Sequence, residues 1–537
     1  MDTPLTITHL IERSARYFPD KAVVSVRRDG QVDRLDWARV RERVGKLADA
    51  LLRMGLRRGD RVATLAWNTH RHLELYFAVP ALGGVLHTVN GRLSAEQVSR
   101  IVTHAGDRFV FVDPELAPLV QDVRGPEEWI AMDGDAPGPR WLEYEALLSG
   151  STSLEHFELL PEDEAAALCY TSGTTGEPKG VLYSHRALAL HTLAIALPNG
   201  FGIGEPDRVM PAVPMFHANA WGLPFAAAMA GAALILPGPR PGAALIARLL
   251  DEERVTFAAG VPTVWLGVLD ALREHPRTLA RGLRIHSGGA PSPAGLIRDW
   301  RALGVEILTG WGMTELSPVG LVCHPRSALE VADEETLMAV RTSQGTPLPF
   351  IEVRLVDSGG APVPDDGVTP GELEVRGPWV AAAYYPGSSD PHAQARSTDA
   401  FRDGWLRTGD VATRDAHGYV RLVDRTKDLI RSGGEWISSV QLENALMDHP
   451  AVSEAAVVAV PHPRWHERPV AYVVLRDGAR IDTPQEVLKV LDGRFPAWWV
   501  PDRIELLDAI PRTSTGKFDK KVLRTLARTV SSEAAPE

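Results

Sequence analysis

The chain has 537 residues, 45% of them hydrophobic and 23% charged, which fits an ordinary soluble globular protein too long for a single core. A net charge of −12 excludes a sequence-independent nucleic-acid binder, which needs a basic field toward phosphate. Two cysteines, Cys169 and Cys323, fit neither a disulfide framework nor a zinc site and point to a reducing cytoplasm.

In chain order, the start "MDTPLTITHLIERSARYFPD" lacks the basic-then-apolar pattern of a signal peptide. From about residue 40 to 350, short β-branched runs ("RVATLAW", "FVFVD", "AAALCY", "AALILP", "VTFAAG", "VEILTGWG") alternate with helical patterns. That alternation predicts parallel sheets covered by helices, with ligands at the carboxyl ends of strands. The apolar stretch "WGLPFAAAMAGAALILPG" reads as a buried helix followed by a buried strand rather than a membrane span, because it relies on Ala and Gly and is interrupted by Pro224. Past residue 340, period-two strands broken by Gly, Pro and Asp turns predict an antiparallel sheet or barrel. The last hundred residues read helix, strand, strand, helix ("PQEVLKVLDGRF"), strand, and only the tail "VSSEAAPE" reads as disordered. The expected architecture is therefore α/β. A large N-terminal domain, 1–426, holds parallel-sheet α/β subdomains plus a small β-barrel subdomain, and a small α+β C-terminal domain follows at 427–537.

"YTSGTTGEPKG", residues 170–180, ends a predicted strand in a glycine- and hydroxyl-rich loop and places Lys179 just before a predicted helix. Free backbone N–H groups, hydroxyls and one lysine make an anion cradle. The loop matches neither the Walker A pattern nor the dinucleotide fingerprint; by composition alone a plain solvent-exposed connection remains open.

The full string resembles the signature loop of the acyl-adenylate-forming superfamily: acyl-CoA synthetases, peptide adenylation domains and beetle-type luciferases. "PMFHANAW", "SGGAP", "GWGMTE", "GELEVRGP", "LRTGD", "DRTKDLIRSGGEWIS" and "PRTSTGK" follow in the family's order, most like bacterial medium- and long-chain fatty acyl-CoA ligases. The resemblance implies ATP, Mg²⁺ and CoA as reactants or cofactor, a hydrophobic carboxylic acid as substrate and a possible homodimer, while the charge speaks against a nucleic-acid partner and the cysteines for a cytoplasmic setting.

Carried over by position, Thr171, Ser172, Gly173, Thr174, Thr175 and Lys179 would hold the β- and γ-phosphates. Glu315 and Thr171 would hold Mg²⁺, which wants hard oxygen donors, and Thr314 would bond the α-phosphate. Trp311, with Gly289, Ala290 and Pro291, would wall the adenine, and Gly310, Gly312 and Met313 would belong to the ATP/AMP site; the family more often has Tyr at the Trp311 position. Asp410 and Arg425 would meet the ribose. Lys427 would be the pivot of the C-terminal domain, and Lys517 the catalytic lysine bridging carboxylate and α-phosphate. Ser432, Gly433 and Gly434 would admit the CoA thiol, Trp436 would close over the nucleotide, and Arg431, where relatives often have Lys, would contact phosphate. His217, Trp221 and Gly222 would border the acyl site, with Trp221 as its gate. Lys520 and Lys521, beside Lys517, read as solvated surface charges. The motifs fit equally an adenylate-forming amide ligase acting on an amine; a degenerate nucleotide-binding protein is opposed by the intact Lys517, Glu315 and Asp410.

Overall fold

The structure is a computed structural model that describes residues 3–134, 137–171, 179–329, 331–387, 393–432, 435–476, 478–513 and 518–533. Two large sheets form its bulk. In the first, seven strands run in the order Trp141–Glu143, Glu128–Ala131, Asp107–Val112, Arg61–Leu65, Val85–Thr88, Ala165–Tyr170 and Gly180–Ser184. All neighbours are parallel except the last pair. The second sheet has nine strands, with a parallel centre formed by Glu306–Gly312, Arg284–Ser287, Phe257–Gly260, Arg208–Pro211, Ala233–Leu236 and Ala22–Val26. Strands buried on both faces read as continuous apolar runs, and Ala233–Leu236 and Phe257–Gly260 are buried throughout. Fully buried Trp37, Trp265, Trp300 and Trp379 fill the layers between sheets and helices.

The apolar stretch around Pro224 is a helix, Leu223–Ala230, followed by the strand Ala233–Leu236, as its composition predicts. No helix among the described residues is long and apolar enough to cross a membrane. The expected barrel region is a five-stranded antiparallel sheet of Glu352–Val356, Gly371–Arg376, Phe401–Arg402, Trp405–Arg414 and Val420–Arg425. A final sheet pairs Val452–His462 with His466–Leu475, and the latter also pairs with Ile430–Ser432 of the hairpin Ile430–Ser432/Glu435–Ile437 and with Arg503–Leu506.

Three expectations are corrected. Lys179 precedes a strand, Gly180–Ser184, which returns antiparallel to Ala165–Tyr170. The helix, His185–Ala196, starts one strand later, where the Ser184 hydroxyl accepts from Ala187 N–H as its cap. The segment "PQEVLKVL" is a 3₁₀ helix, Pro484–Leu491. The C-terminal tail is helical as far as Glu533, in the helix Lys520–Glu533; residues 534–537 lie outside the described residues.

Candidate active site

The hydroxyl-rich loop and "GWGMTE" follow parallel strands, while Asp410 and Arg425 come from the antiparallel sheet. The chain leaves Ala165–Tyr170 into the glycine- and hydroxyl-rich loop, whose base is clasped by backbone. Thr171 N–H donates to Lys179 C=O at 2.9 Å, and Lys179 N–H reaches the Thr171 hydroxyl at 3.4 Å. Ser172, Gly173, Thr174 and Thr175 lie outside the described residues.

Glu306–Gly312 delivers "GWGMTE" at its carboxyl end. A Cβ on Gly310 would fall 2.5 Å from His286 and 2.7 Å from the Leu321 carbonyl, so only glycine admits this strand beside its neighbours. Thr314 and Glu315 follow in a single 3₁₀ turn, and the Tyr183 hydroxyl donates to Thr314 C=O at 2.7 Å. Glu315 is 5% exposed. Burial pushes its carboxyl up from the ordinary range, opposed by the Tyr384 hydroxyl, which donates to Oε1 at 2.8 Å. Among the described residues no cation forms an ion pair with it. A desolvated carboxylate without a positive partner is costly, and a metal ion placed there would offset that cost. The Thr171 hydroxyl is the second hard oxygen assigned to such an ion, and Mg²⁺ is commonly held by one or two protein carboxylates plus substrate phosphates. The residues present thus fit Mg²⁺.

Trp311, Asp410 and Arg425 form one chain of contacts. The indole Nε1–H donates to Asp410 Oδ2 at 2.8 Å, and Arg425 Nε lies 2.6 Å from Oδ1. Strand register explains the second contact, because Asp410 and Arg425 are directly paired on antiparallel strands. Trp311 is therefore more than a substitute flat face for tyrosine: its N–H is the partner of a carboxylate 2% exposed. Gly289 and Ala290 are exposed at the end of Arg284–Ser287, with Gly289 at φ +81°, and Pro291 is half-buried.

The segment "PMFHANAW" follows the strand Arg208–Pro211. Asn68, which sequence reasoning missed, fixes it from the other sheet. Its amide donates to Pro211 C=O and Val213 C=O at 3.0 and 2.8 Å, and its carbonyl accepts from Met215 N–H at 2.8 Å. His217 is half-buried. Ala218, Asn219, Ala220 and Trp221 then all have φ between 42° and 57°, and Gly222 follows at 79°. A left-handed run of non-glycine residues costs roughly 1–2 kcal/mol per residue, so its surroundings must hold it, and such strain gathers at functional sites. The Asn219 carbonyl accepts from Cys169 Sγ at 3.4 Å, linking the turn to the strand that feeds the hydroxyl-rich loop. Trp221, 6% exposed, meets His286 edge-on at 5.5 Å, and His286 packs on Phe201 at 4.5 Å. Burial lowers the His286 imidazole to about 3, so this wall is neutral at physiological pH.

In the C-terminal hairpin, Arg431 stacks over Trp436 at 4.5 Å while its backbone N–H donates to Glu467. Trp436 is 41% exposed. Ser432 is buried and accepts from Arg468 at 3.2 Å; Gly433, Gly434 and Lys517 lie outside the described residues. Lys427 is exposed, and its carbonyl accepts from Arg524. Lys520 overturns its reading as a solvated charge. Its side chain is 14% exposed, donates to the Ser439 hydroxyl at 2.6 Å and pairs with Glu443 at 2.7 Å. Ser439 donates onward to Asp424 at 2.6 Å. The proximity of three acids, Glu443, Asp424 and Asp428, outweighs burial and raises the Lys520 ammonium above its ordinary value. Lys521 is exposed.

The family described as AMP-binding enzyme matches residues 11–385, and the AMP-binding enzyme C-terminal domain matches 441–517. The chain belongs to the AMP-binding enzyme family. This AMP-binding enzyme is 46% identical over 529 residues to a long-chain-fatty-acid–CoA ligase of Thermus thermophilus, covering 98% of this chain and 96% of that one. It is 40% identical to a medium-chain-fatty-acid–CoA ligase of Ectopseudomonas oleovorans, covering 98% and 96%. Among solved structures, a benzoate CoA ligase from Burkholderia xenovorans LB400 superposes with a TM-score of 0.82 at 26% identity, covering 97% and 99%.

Proposed function

We propose that this enzyme is an AMP-forming ligase that activates a hydrophobic carboxylic acid with ATP and passes the acyl group to CoA. The observation that carries the reading is the meeting of a clasped hydroxyl-rich loop with Lys179, a buried Glu315 that forms no ion pair among the described residues, and the Trp311–Asp410–Arg425 chain. These features suit a triphosphate, a metal and a ribose respectively. ATP and CoA use also accords with the CoA ligases it resembles.

In the first step a carboxylate oxygen attacks the α-phosphorus, the bond to the bridging β-oxygen breaks, and pyrophosphate leaves. Two anions must meet, so positioning and charge stabilisation supply most of the catalysis. Lys179, with Thr171 and the loop residues Ser172, Gly173, Thr174 and Thr175, holds the β- and γ-phosphates, and Thr314 bonds the α-phosphate. Gly289, Ala290, Pro291 and Trp311, with Gly310, Gly312 and Met313, flank the adenine, and Asp410 accepts from ribose hydroxyls with the lone pairs its two present partners leave. When bound at Glu315 and Thr171, Mg²⁺ supplies neutralisation of the triphosphate charge. Lys517 bridges the substrate carboxylate and the α-phosphate.

In the second step the CoA sulfur attacks the acyl carbon, its proton is lost, and AMP departs with the electron pair of the broken C–O bond. We assign residues 1–426 to a body and 427–537 to a cap pivoting at Lys427, which presents Lys517 for the first step and Ser432, Gly433, Gly434, Arg431 and Trp436 for the second. The acyl pocket is bordered by His217, Trp221 and Gly222 and backed by the neutral His286. Its apolar, uncharged lining suits an alkyl or ring acid and disfavours an amino acid, whose ammonium would be unpaired.

The test incubates the enzyme with ATP, Mg²⁺, CoA and a series of straight-chain and aromatic acids and measures AMP and thioester. Equimolar AMP and thioester is expected with at least one apolar acid. Pyrophosphate exchange without thioester, with product only when an amine is supplied, would replace this reading by an amide ligase.

A further inference from the structure

We infer that Tyr384 is a positioning residue that holds the triphosphate lysine and the metal carboxylate apart and in register. This rests on the reading of Lys179 and Glu315 given above, and it assigns a role to a side chain that no motif in the sequence reading touched.

The geometry is specific. Tyr384 is 7% exposed. One end of it, the hydroxyl, donates to Glu315 Oε1 at 2.8 Å; its face receives the Lys179 ammonium 4.6 Å from the ring centre. No ion pair joins Lys179 to Glu315, although both address the same aromatic ring. Oppositely charged groups this near would otherwise tend to pair directly, and a closed pair would face neither phosphate nor metal. The ring satisfies the lysine through its negative face and the carboxylate through its hydroxyl, so the two do not close into a direct ion pair.

The backbone shows that this placement is built into the fold. Tyr385 N–H donates to Gly180 C=O at 2.8 Å, a bridge that lays the 380s segment across the base of the hydroxyl-rich loop. A Cβ on Gly180 would lie 3.1 Å from that of Tyr385 and 3.2 Å from Leu168 and Tyr170, so the approach is tight and suits glycine. On the other side Ala381 N–H donates to Glu315 C=O at 2.8 Å. Tyr384 N–H is anchored on the Ser397 hydroxyl at 3.0 Å, and its ring meets Phe401 edge-on at 5.3 Å. The tyrosine is thus fastened to both groups it separates.

A residue that orients a metal ligand through a hydrogen bond typically changes metal affinity about 10- to 100-fold when removed. Tyr384→Phe keeps the ring and spacing and loses only the hydroxyl; Tyr384→Leu loses the ring as well. Binding is read without turnover, with no acid or CoA present, by electron paramagnetic resonance of Mn²⁺ in the presence of ATP and by calorimetry of ATP in excess chelator. Tyr384→Phe is expected to weaken Mn²⁺ about 10- to 100-fold while leaving metal-free ATP affinity within about twofold. Tyr384→Leu is expected to weaken both. Glu315→Gln is measured alongside. If Glu315→Gln binds Mn²⁺ like the unaltered enzyme, the metal reading of the site fails. If Glu315→Gln loses Mn²⁺ but Tyr384→Phe does not, or if Tyr384→Phe loses metal-free ATP equally, the positioning role is overturned and the site reading survives.

Discussion

Replacing Lys520 by Met leaves two carboxyl groups without their cation in a place where water cannot substitute. Glu443 is 8% exposed and Asp424 4% exposed. Glu443 Oε1 accepts from Lys520 and from Val457 N–H, and Asp424 Oδ2 accepts from both the N–H and the hydroxyl of Ser439. Breaking a buried pair by deleting one partner typically costs about 3–5 kcal/mol, far above the 0–1 kcal/mol of a surface pair. Against the roughly 5–15 kcal/mol that stabilises a whole domain, such a loss is large. It should be local as well, since Lys520 and Glu443 bring the helices Lys520–Glu533 and Ser439–Met447 together beside the strand Val452–His462. Hydrogen exchange read by mass spectrometry on peptides of that strand and of Ser439–Met447 measures the local opening free energy. Lys520→Met is expected to lower it by about 3 kcal/mol or more, with peptides of the seven-stranded sheet unchanged. Lys520→Met with Glu443→Gln, which removes the stranded charge, is expected to recover part of the loss. A Lys520→Met protein within about 1 kcal/mol of the unaltered chain would show that this lysine behaves as a surface charge after all.

Trp311→Phe removes the only N–H that Trp311 offers to Asp410; a hydrogen bond to a charged group contributes about 1.5–3 kcal/mol, so urea unfolding and ATP titration should both show a loss of that order, and an unchanged ATP affinity would remove Trp311 from the nucleotide site. His191 is buried, accepts from Val319 N–H through Nε2, and burial lowers its imidazole from 6.5 to about 3. A lowered folded value means the unfolded chain binds the extra proton, so the stability it contributes is present above pH 6.5 and is lost as pH falls toward 3. His191→Gln should therefore flatten the dependence of unfolding free energy on pH between about 6 and 4 by one proton, about 1.4 kcal/mol per pH unit; an unchanged slope would refute the assignment. Lys517→Ala should cut adenylate formation about 10²- to 10³-fold while leaving transfer from a supplied acyl-adenylate largely intact, measured as separate half-reactions; equal losses in both would contradict two poses of the cap.

Much of this molecule is legible from local pattern. The β-branched runs, the placing of "GWGMTE" at a strand's carboxyl end and the buried helix–strand pair around Pro224 follow from period, length and punctuation, because burial on both faces leaves a continuous apolar signature. What was not legible depends on distant partners. Lys520 looked solvated because nothing near it in sequence announces Glu443 or Asp424, which lie 77 and 96 positions away. Tyr384 carries no motif, yet the tight approach of its neighbour Tyr385 to Gly180 brings it between Lys179 and Glu315. The strand Gly180–Ser184 was hidden by the helix cap that follows directly, since Ser184 and the apolar helix beyond it gave the stronger signal. The left-handed turn Ala218–Gly222 could not be read either, as alanine and tryptophan avoid positive φ and only tertiary contacts impose it.

The central claim, an acyl-adenylate made first and then given to a thiol, is tested most directly by single-turnover quench with α-labelled ATP and an accepted acid. Without CoA, the account requires up to one acyl-AMP per enzyme to accumulate together with one pyrophosphate. Added CoA should convert it to thioester and free AMP. Appearance of labelled ADP in place of AMP, or thioester formed with no acyl-AMP preceding it, would contradict the account.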